Sequence, residues 1–271
     1  MDSQRPCKRQ RLSPTPSPPA DLEVSHETTT LATATRVLLV EAQALSHICR
    51  HYETDPYART GLYTSVERIV ASQKLGGKVI VCGVGKSGLV GRKTVATMKS
   101  MGIASSFMHA AEAAHGDLGD IRKNDVLLFI SFSGKTSELL NLLPHLSPDI
   151  SVIAMTSHSR PSDCPLLKEH DGTLLPSPLH EPEEVSFGIC APTTSTTVQI
   201  AIGDMLALTV AESIHMDQKG RVFRKNHPGG AIGAVTKAQA DAEMEGCAGP
   251  PTPDALSSLG MLSPTISATS V

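Results

Sequence analysis

Apolar positions along the middle of this chain keep two different rhythms. From Leu31 to Tyr52, residues Leu38, Leu39, Ala42, Leu45 and Ile48 recur at the spacing of one helix face. Tyr57–Leu75 reads as a second helix, closed by Gly76 and Gly77. Short unbroken apolar runs then appear at Lys78–Gly83, Ile103–Met108, Val126–Ser131 and Ile150–Met155, with a shorter fifth at Gly172–Leu175. Helices are predicted between them over Lys86–Met101 and Thr136–Leu146. A long apolar helix, Ala191–Ser213, follows with Pro192 in its first turn, where a missing N–H costs nothing. Strands that are apolar at every position are buried on both faces, as in a parallel sheet covered by helices on each side. The fold class is therefore α/β, and ligands are expected at the carboxyl ends of the strands.

Outside this region the periodicity stops. Residues 1–30, with LSPTPSPPA, and residues 236–271, with GPPTPDALSSLG, read as disordered tails around one domain at 31–235. The chain has 271 residues and 40% apolar content, enough for a sizeable core. Aromatics are only 3%, Trp is absent and the net charge is −3, so a stacking platform for nucleic acid is not expected. Six cysteines without a C-x-x-C pair argue against a disulfide framework or a thiolate zinc site and fit a reducing, cytoplasmic setting. The basic run Lys8–Arg11 reads more readily as solvated charge than as a nuclear address. No apolar run reaches about 18 residues and the first thirty lack an apolar signal core, so neither membrane spanning nor secretion is expected.

Chemistry gathers in the loops that follow the strands. VIVCGVGKSG, Val79–Gly88, holds both a G-x-G-x-x-G and a Gly-Lys-Ser. A nucleotide-triphosphate loop would need a glycine five residues before Gly85, and Ile80 stands there inside the strand. A dinucleotide site would need an acid at the end of the next strand, and IASSFMHA has none. What both patterns share remains: small residues let backbone N–H groups at a helix start approach an anion, with Gly85 and Ser87 in the turn and Lys86 adding charge. After the third strand, SFSGKTSE places Ser131, Ser133, Gly134 and Thr136 at another helix start. Capping needs one such residue. Several together suggest a hydroxyl-lined phosphate cradle.

GVGKSGLVGRK, AAHGDLGD, SFSGKTSE, APTTSTT and HPGGAIG, in this order from Gly83 to Gly233, resemble the sugar isomerase (SIS) domain, and more narrowly the KpsF/GutQ arabinose-5-phosphate isomerases. The resemblance implies a flavodoxin-like three-layer sandwich with a five-stranded parallel sheet. It implies interconversion of D-ribulose 5-phosphate and D-arabinose 5-phosphate, with the phosphate held by the Ser131–Thr136 loop. A homotetramer with active sites built across subunits is expected. The catalytic set carried over is Lys86, Glu138, Glu184 and His227. HEPEEVSFG also offers Glu181 and Glu183, and the spacing to Pro192 favours Glu184. His115 is expected to face the sugar and His109 to be a possible metal ligand, although no cofactor is required. Many relatives carry CBS modules after the catalytic domain; here that region reads as a low-complexity tail. The segment Thr156–Glu183 departs from the family pattern.

The reaction independently calls for such residues. Moving hydrogen between C1 and C2 through a cis-enediol needs a carboxylate that takes a proton and returns it, with a pKa raised by burial. It needs a cation beside the developing oxyanion, the role expected of Lys86, and an imidazole that moves protons between oxygens. Base duty falls to Glu138 or Glu184, with Glu184 favoured. Two rival readings are a non-catalytic phosphosugar-binding regulator and an isomerase of another phosphosugar.

Overall fold

The computed structural model describes residues 20–168, 170, 172–230 and 233. Lys8–Arg11 and the 236–271 tail lie outside them. Two helices open the chain, α1 (Ala20–Thr54) and α2 (Pro56–Lys74). There follow β1 (Val79–Gly83), α3 (Gly85–Ser100), β2 (Ser105–His109), α4 (Ala110–Ala113), β3 (Val126–Ile130), α5 (Ser137–Leu140), β4 (Ser151–Thr156) and β5 (Gly172–Pro176). The chain closes with α6 (Glu183–Phe187), α7 (Thr194–His215) and α8 (Lys219–Asn226). The five strands form one parallel sheet in the order β2-β1-β3-β4-β5. This is a doubly wound order of the flavodoxin type, whose switch point lies between β1 and β3.

Alternation along each strand sorts the core into two layers. Val79, Val81, Leu128, Ile130, Ile153 and Met155 face α1, α2, α3 and α7. Ile80, Cys82, Leu127, Phe129, Val152 and Ala154 face the other way, onto α4, α5 and the short turns at 161–167. Long helices therefore cover one face and single turns the other. The stretch Thr194–Asn226 includes an 18-residue window of mean hydropathy 1.3, long and apolar enough to span a membrane by composition. The fold accounts for it: Val198, Ile202, Leu206 and Val210 of α7 are buried under the sheet.

Three differences from the sequence reading have physical causes. α1 starts at Ala20, where a disordered segment to residue 30 is expected from sequence. The β-branched residues Thr28, Thr29, Thr30, Thr33 and Thr35 lower helix propensity, and the helix holds them with the Thr33 and Thr35 hydroxyls donating to carbonyls four residues back. The helix expected at Thr136–Leu146 is a single α-turn followed by a 3₁₀ turn at Leu143–His145. Pro144 has no N–H to continue the ladder. The short helices α4, α6 and α8 carry too few residues to show a period.

Asp125 fixes β1 against β3 at their start. It accepts from the Lys78 N–H at 2.9 Å, from Lys78 Nζ at 2.8 Å and from the Arg122 N–H at 2.9 Å. Burial alone would raise its pKa; these bonds outweigh burial and hold it below the usual carboxylate value. The contribution is therefore present above the ordinary carboxylate range and is lost as pH falls below it. Asp125→Ala is expected to lower unfolding free energy by about 2 kcal/mol, because it removes the buried acceptor of two N–H groups and leaves the half-buried Lys78 ammonium with Asp120 alone. Urea denaturation at pH 7 checks this, and a change under about 0.5 kcal/mol, the range of ordinary surface substitutions, would refute it.

Candidate active site

The β1–α3 turn explains its glycines. A side chain at Gly83 would meet the Ser87 backbone at 3.1 Å, and one at Gly88 would meet the Gly83 carbonyl oxygen at the same distance. Gly85 takes φ +57°, a conformation that favours glycine. The tight turn aims the first N–H groups of α3 past the end of β1, with Lys86 and Ser87 on its rim. These two residues line a cavity of about 700 Å³, within the ordinary range for small-molecule sites. Phe132 and Ser157, from the loops after β3 and β4, form part of its wall, and α6 and the start of α7 close it.

The three glutamates of HEPEEVSFG have separate duties. Glu181 accepts a hydrogen bond from Ser186 Oγ within its own turn. Glu183 Oε1 accepts from the N–H groups of Thr193 at 2.7 Å and Ser195 at 2.9 Å, and from Ser195 Oγ at 2.9 Å. It caps α7 from outside, satisfying amides that a helix start leaves unpaired. Glu183 and Glu184 both line the cavity, and of the two Glu183 is engaged by the α7 amides. Beside Glu184 stands Cys190, brought back by the left-handed turn at Gly188 (φ 75°). The neighbouring Glu184 carboxylate, as an acceptor for the thiol, is the main cause that pushes the Cys190 thiol above its usual value, followed by desolvation and the charges of Glu184 and Glu183. Sequence spacing had favoured Glu184; Cys190 carried no signal of its own.

The Ser131–Thr136 loop borders this cavity through Phe132. Its hydroxyls also bond within the loop: Ser131 Oγ lies 2.8 Å from Thr136 Oγ1 and accepts from the Gly134 N–H at 3.1 Å, while Ser133 Oγ accepts from the Lys135 N–H at 3.2 Å. Gly134 has φ +62°, and the His158 ring lies 3.0 Å from where a side chain would begin. The loop is thus held in a turn with hydroxyls and amides grouped at a strand end.

Glu138 and His227 do not share the cavity within one chain. Glu138 is exposed in the first turn of α5, and its pKa lies below the usual value. Its own N–H is the main cause, followed by the Ser137 hydroxyl at 2.9 Å and a smaller pull from His109. A base raised by burial is expected from the chemistry, and Glu138 is the opposite case. His227 ends α8. Its Nδ1 lies 2.8 Å from the Phe223 carbonyl, its ring stacks on Phe223 at 4.1 Å, and Nε2 lies 3.2 Å from Ser100 Oγ. Fourteen residues of α3 separate Ser100 from Lys86, about 21 Å at the rise of an α-helix. α8 is held there because Asn226 donates to the carbonyls of Lys99 and Ser100 at 3.3 Å, pairing the free carbonyls at the end of α3.

His109 caps α4, its Nδ1 accepting from the Ala111 N–H at 3.3 Å. His115 is exposed beyond α4. Among the described residues no three His, Cys, Asp or Glu side chains are grouped to hold a metal ion.

Known proteins share this fold. The SIS domain model matches residues 76–209. A candidate phosphosugar isomerase involved in capsule formation from Bacteroides fragilis is 34% identical, with TM-score 0.61 over 74% of this chain and 98% of that one. The chain belongs to the SIS-domain family. An Escherichia coli CFT073 protein of this family, solved in complex with arabinose 5-phosphate, is 30% identical, with TM-score 0.60 over 72% of this chain and 97% of its own. Arabinose 5-phosphate isomerase KpsF of Escherichia coli is 40% identical over 206 residues, which cover 75% of this chain and 58% of that protein. The chain thus spans a little over half the length of such curated SIS relatives. The five-stranded parallel sheet matches the SIS fold expected from the motifs.

Proposed function

We propose that this SIS-domain protein is an aldose–ketose isomerase that interconverts D-ribulose 5-phosphate and D-arabinose 5-phosphate through a cis-enediol. The observation that carries the reading is that Lys86 and Glu184 line one cavity at the strand ends. Similarity to KpsF at 40% identity supports the substrate. Expected binding partners are a sugar phosphate and other copies of the chain; no nucleic-acid or membrane partner is proposed.

In this reading the Ser131–Thr136 loop gives its amides and hydroxyls to the phosphate. Glu184 removes a proton from C1 of the ketose. The electron pair forms the C1–C2 double bond and the charge moves onto O2, where the Lys86 ammonium stabilises it. A proton passes from O1 to O2, and the protonated Glu184 delivers its proton to C2 while the C1 carbonyl forms. His227 is the group proposed to move the proton between oxygens. Its place at the far end of α3 favours a reading in which another copy of the chain, in the expected homotetramer, brings this residue to the cavity. Leu31, Leu38 and Leu39, all more than half exposed on α1, give that assembly apolar surface to cover.

Ribulose 5-phosphate incubated with the protein in deuterated water is expected to give arabinose 5-phosphate carrying deuterium at C2, read by proton NMR. Binding of the sugar without isotope exchange would support a phosphosugar-binding regulator instead. Exchange on a hexose or amino-sugar phosphate alone would move the assignment to another phosphosugar.

A further inference from the structure

Gln199 lies one turn beyond Ser195 and Thr196 on the same face of α7, and all three line the cavity. Its side chain is buried, with 1% exposure. Its Nε2 has no hydrogen-bond partner in the protein, and among the buried unpartnered side-chain atoms of the described residues it alone belongs to a residue of this cavity. Folded proteins pair nearly all buried polar groups, because an unpaired one loses its hydration without replacement. Val198 and Ile202 on either side are buried and apolar. A leucine at 199 would fill the same helical position at no polar cost, so packing does not account for the amide.

We propose that Gln199 is a specificity-determining residue whose Nε2 donates a hydrogen bond to a hydroxyl oxygen on the carbon chain of the bound sugar phosphate. The identity of the sugar rests on the isomerase reading above; the role of the amide does not. A neutral N–H suits a neutral hydroxyl. The phosphate has separate provision in the helix-start amides and the Ser131–Thr136 hydroxyls. A site with a buried donor also discriminates against ligands that lack the matching oxygen, since they leave the donor unpaired.

The test compares wild type with Gln199→Leu, and with Gln199→Met as a second apolar side chain of similar length. Thermal unfolding is followed alone, with inorganic phosphate, and with arabinose 5-phosphate, glucose 6-phosphate and glucosamine 6-phosphate. Without ligand, both variants are expected to melt about 2–4 °C higher than wild type, because the unpaired donor is gone. Their affinity for the sugar phosphate is expected to fall about tenfold or more, with KM rising, while the response to inorganic phosphate stays unchanged. Variants that bind the sugar as wild type does, lose phosphate in equal measure, or melt lower in both cases would overturn the proposal. If wild type is stabilised by one of the other sugars and not by arabinose 5-phosphate, only the substrate reading falls, and the comparison is made with that sugar. If no sugar in the panel stabilises wild type, both fall.

Discussion

Glu184→Gln keeps the fold and still binds a sugar phosphate, yet its kcat falls about a hundred- to ten-thousand-fold, the range expected on removing a general acid–base. Glu138→Gln, by contrast, stays within about tenfold, the factor that corresponds to roughly 1.4 kcal/mol. The contrast follows from where the two carboxylates stand. Glu184 lines the cavity with Lys86. Glu138 is exposed, is not part of the cavity wall, and has donors around it that favour its charged form. A carboxylate held charged by donors is a poor proton acceptor near neutral pH. Steady-state kinetics on both variants decides the matter. A slow Glu138→Gln beside a near-normal Glu184→Gln would reverse the assignment.

His227→Ala and Glu184→Gln are each expected to be nearly inactive alone, and to recover activity when mixed and reassembled. With active sites made by Glu184 of one chain and His227 of the partner subunit, random reassembly of equal amounts leaves roughly a quarter of the sites with both native groups. The expectation rests on the distance of about 21 Å along α3 between Lys86 and the place where Ser100 meets His227. No side-chain rotation spans that length within one chain. Activity is measured after mild denaturant exchange of the subunits. A mixture no more active than its parts would mean that His227 serves only to hold α8 on α3, as its bonds to Ser100 and Phe223 already do.

The strands were legible in the sequence because each is a short apolar run between polar or glycine-rich segments, and each lies within two residues of its expected place. The loops at their carboxyl ends were legible for the same reason. The helix expected over Thr136–Leu146 runs through Pro144, which breaks it, and the single-turn helices were too short to show a period. At the site, Lys86 and Glu184 could be read from motif and spacing. The separate duties of Glu181 and Glu183 could not, because they depend on which backbone amides lie within reach. Gln199 was invisible for a related reason: a glutamine in an apolar helix gains meaning only once its burial and its missing partner are known. The separation of His227 from Lys86 was equally hidden, since chain order gives no distance.

The two coverings of the sheet differ in depth. On one side four helices lock together, and Asp204 on α7 takes both Lys93 and Thr97 of α3. On the other, among the described residues, lie α4, α5 and short turns. Local opening is least costly where few layers must part. The loop proposed to grip and release the phosphate hangs from that thinner side. If the proposed function holds, a sugar phosphate is expected to come and go through small excursions there, while the helix that carries Gln199 keeps its station.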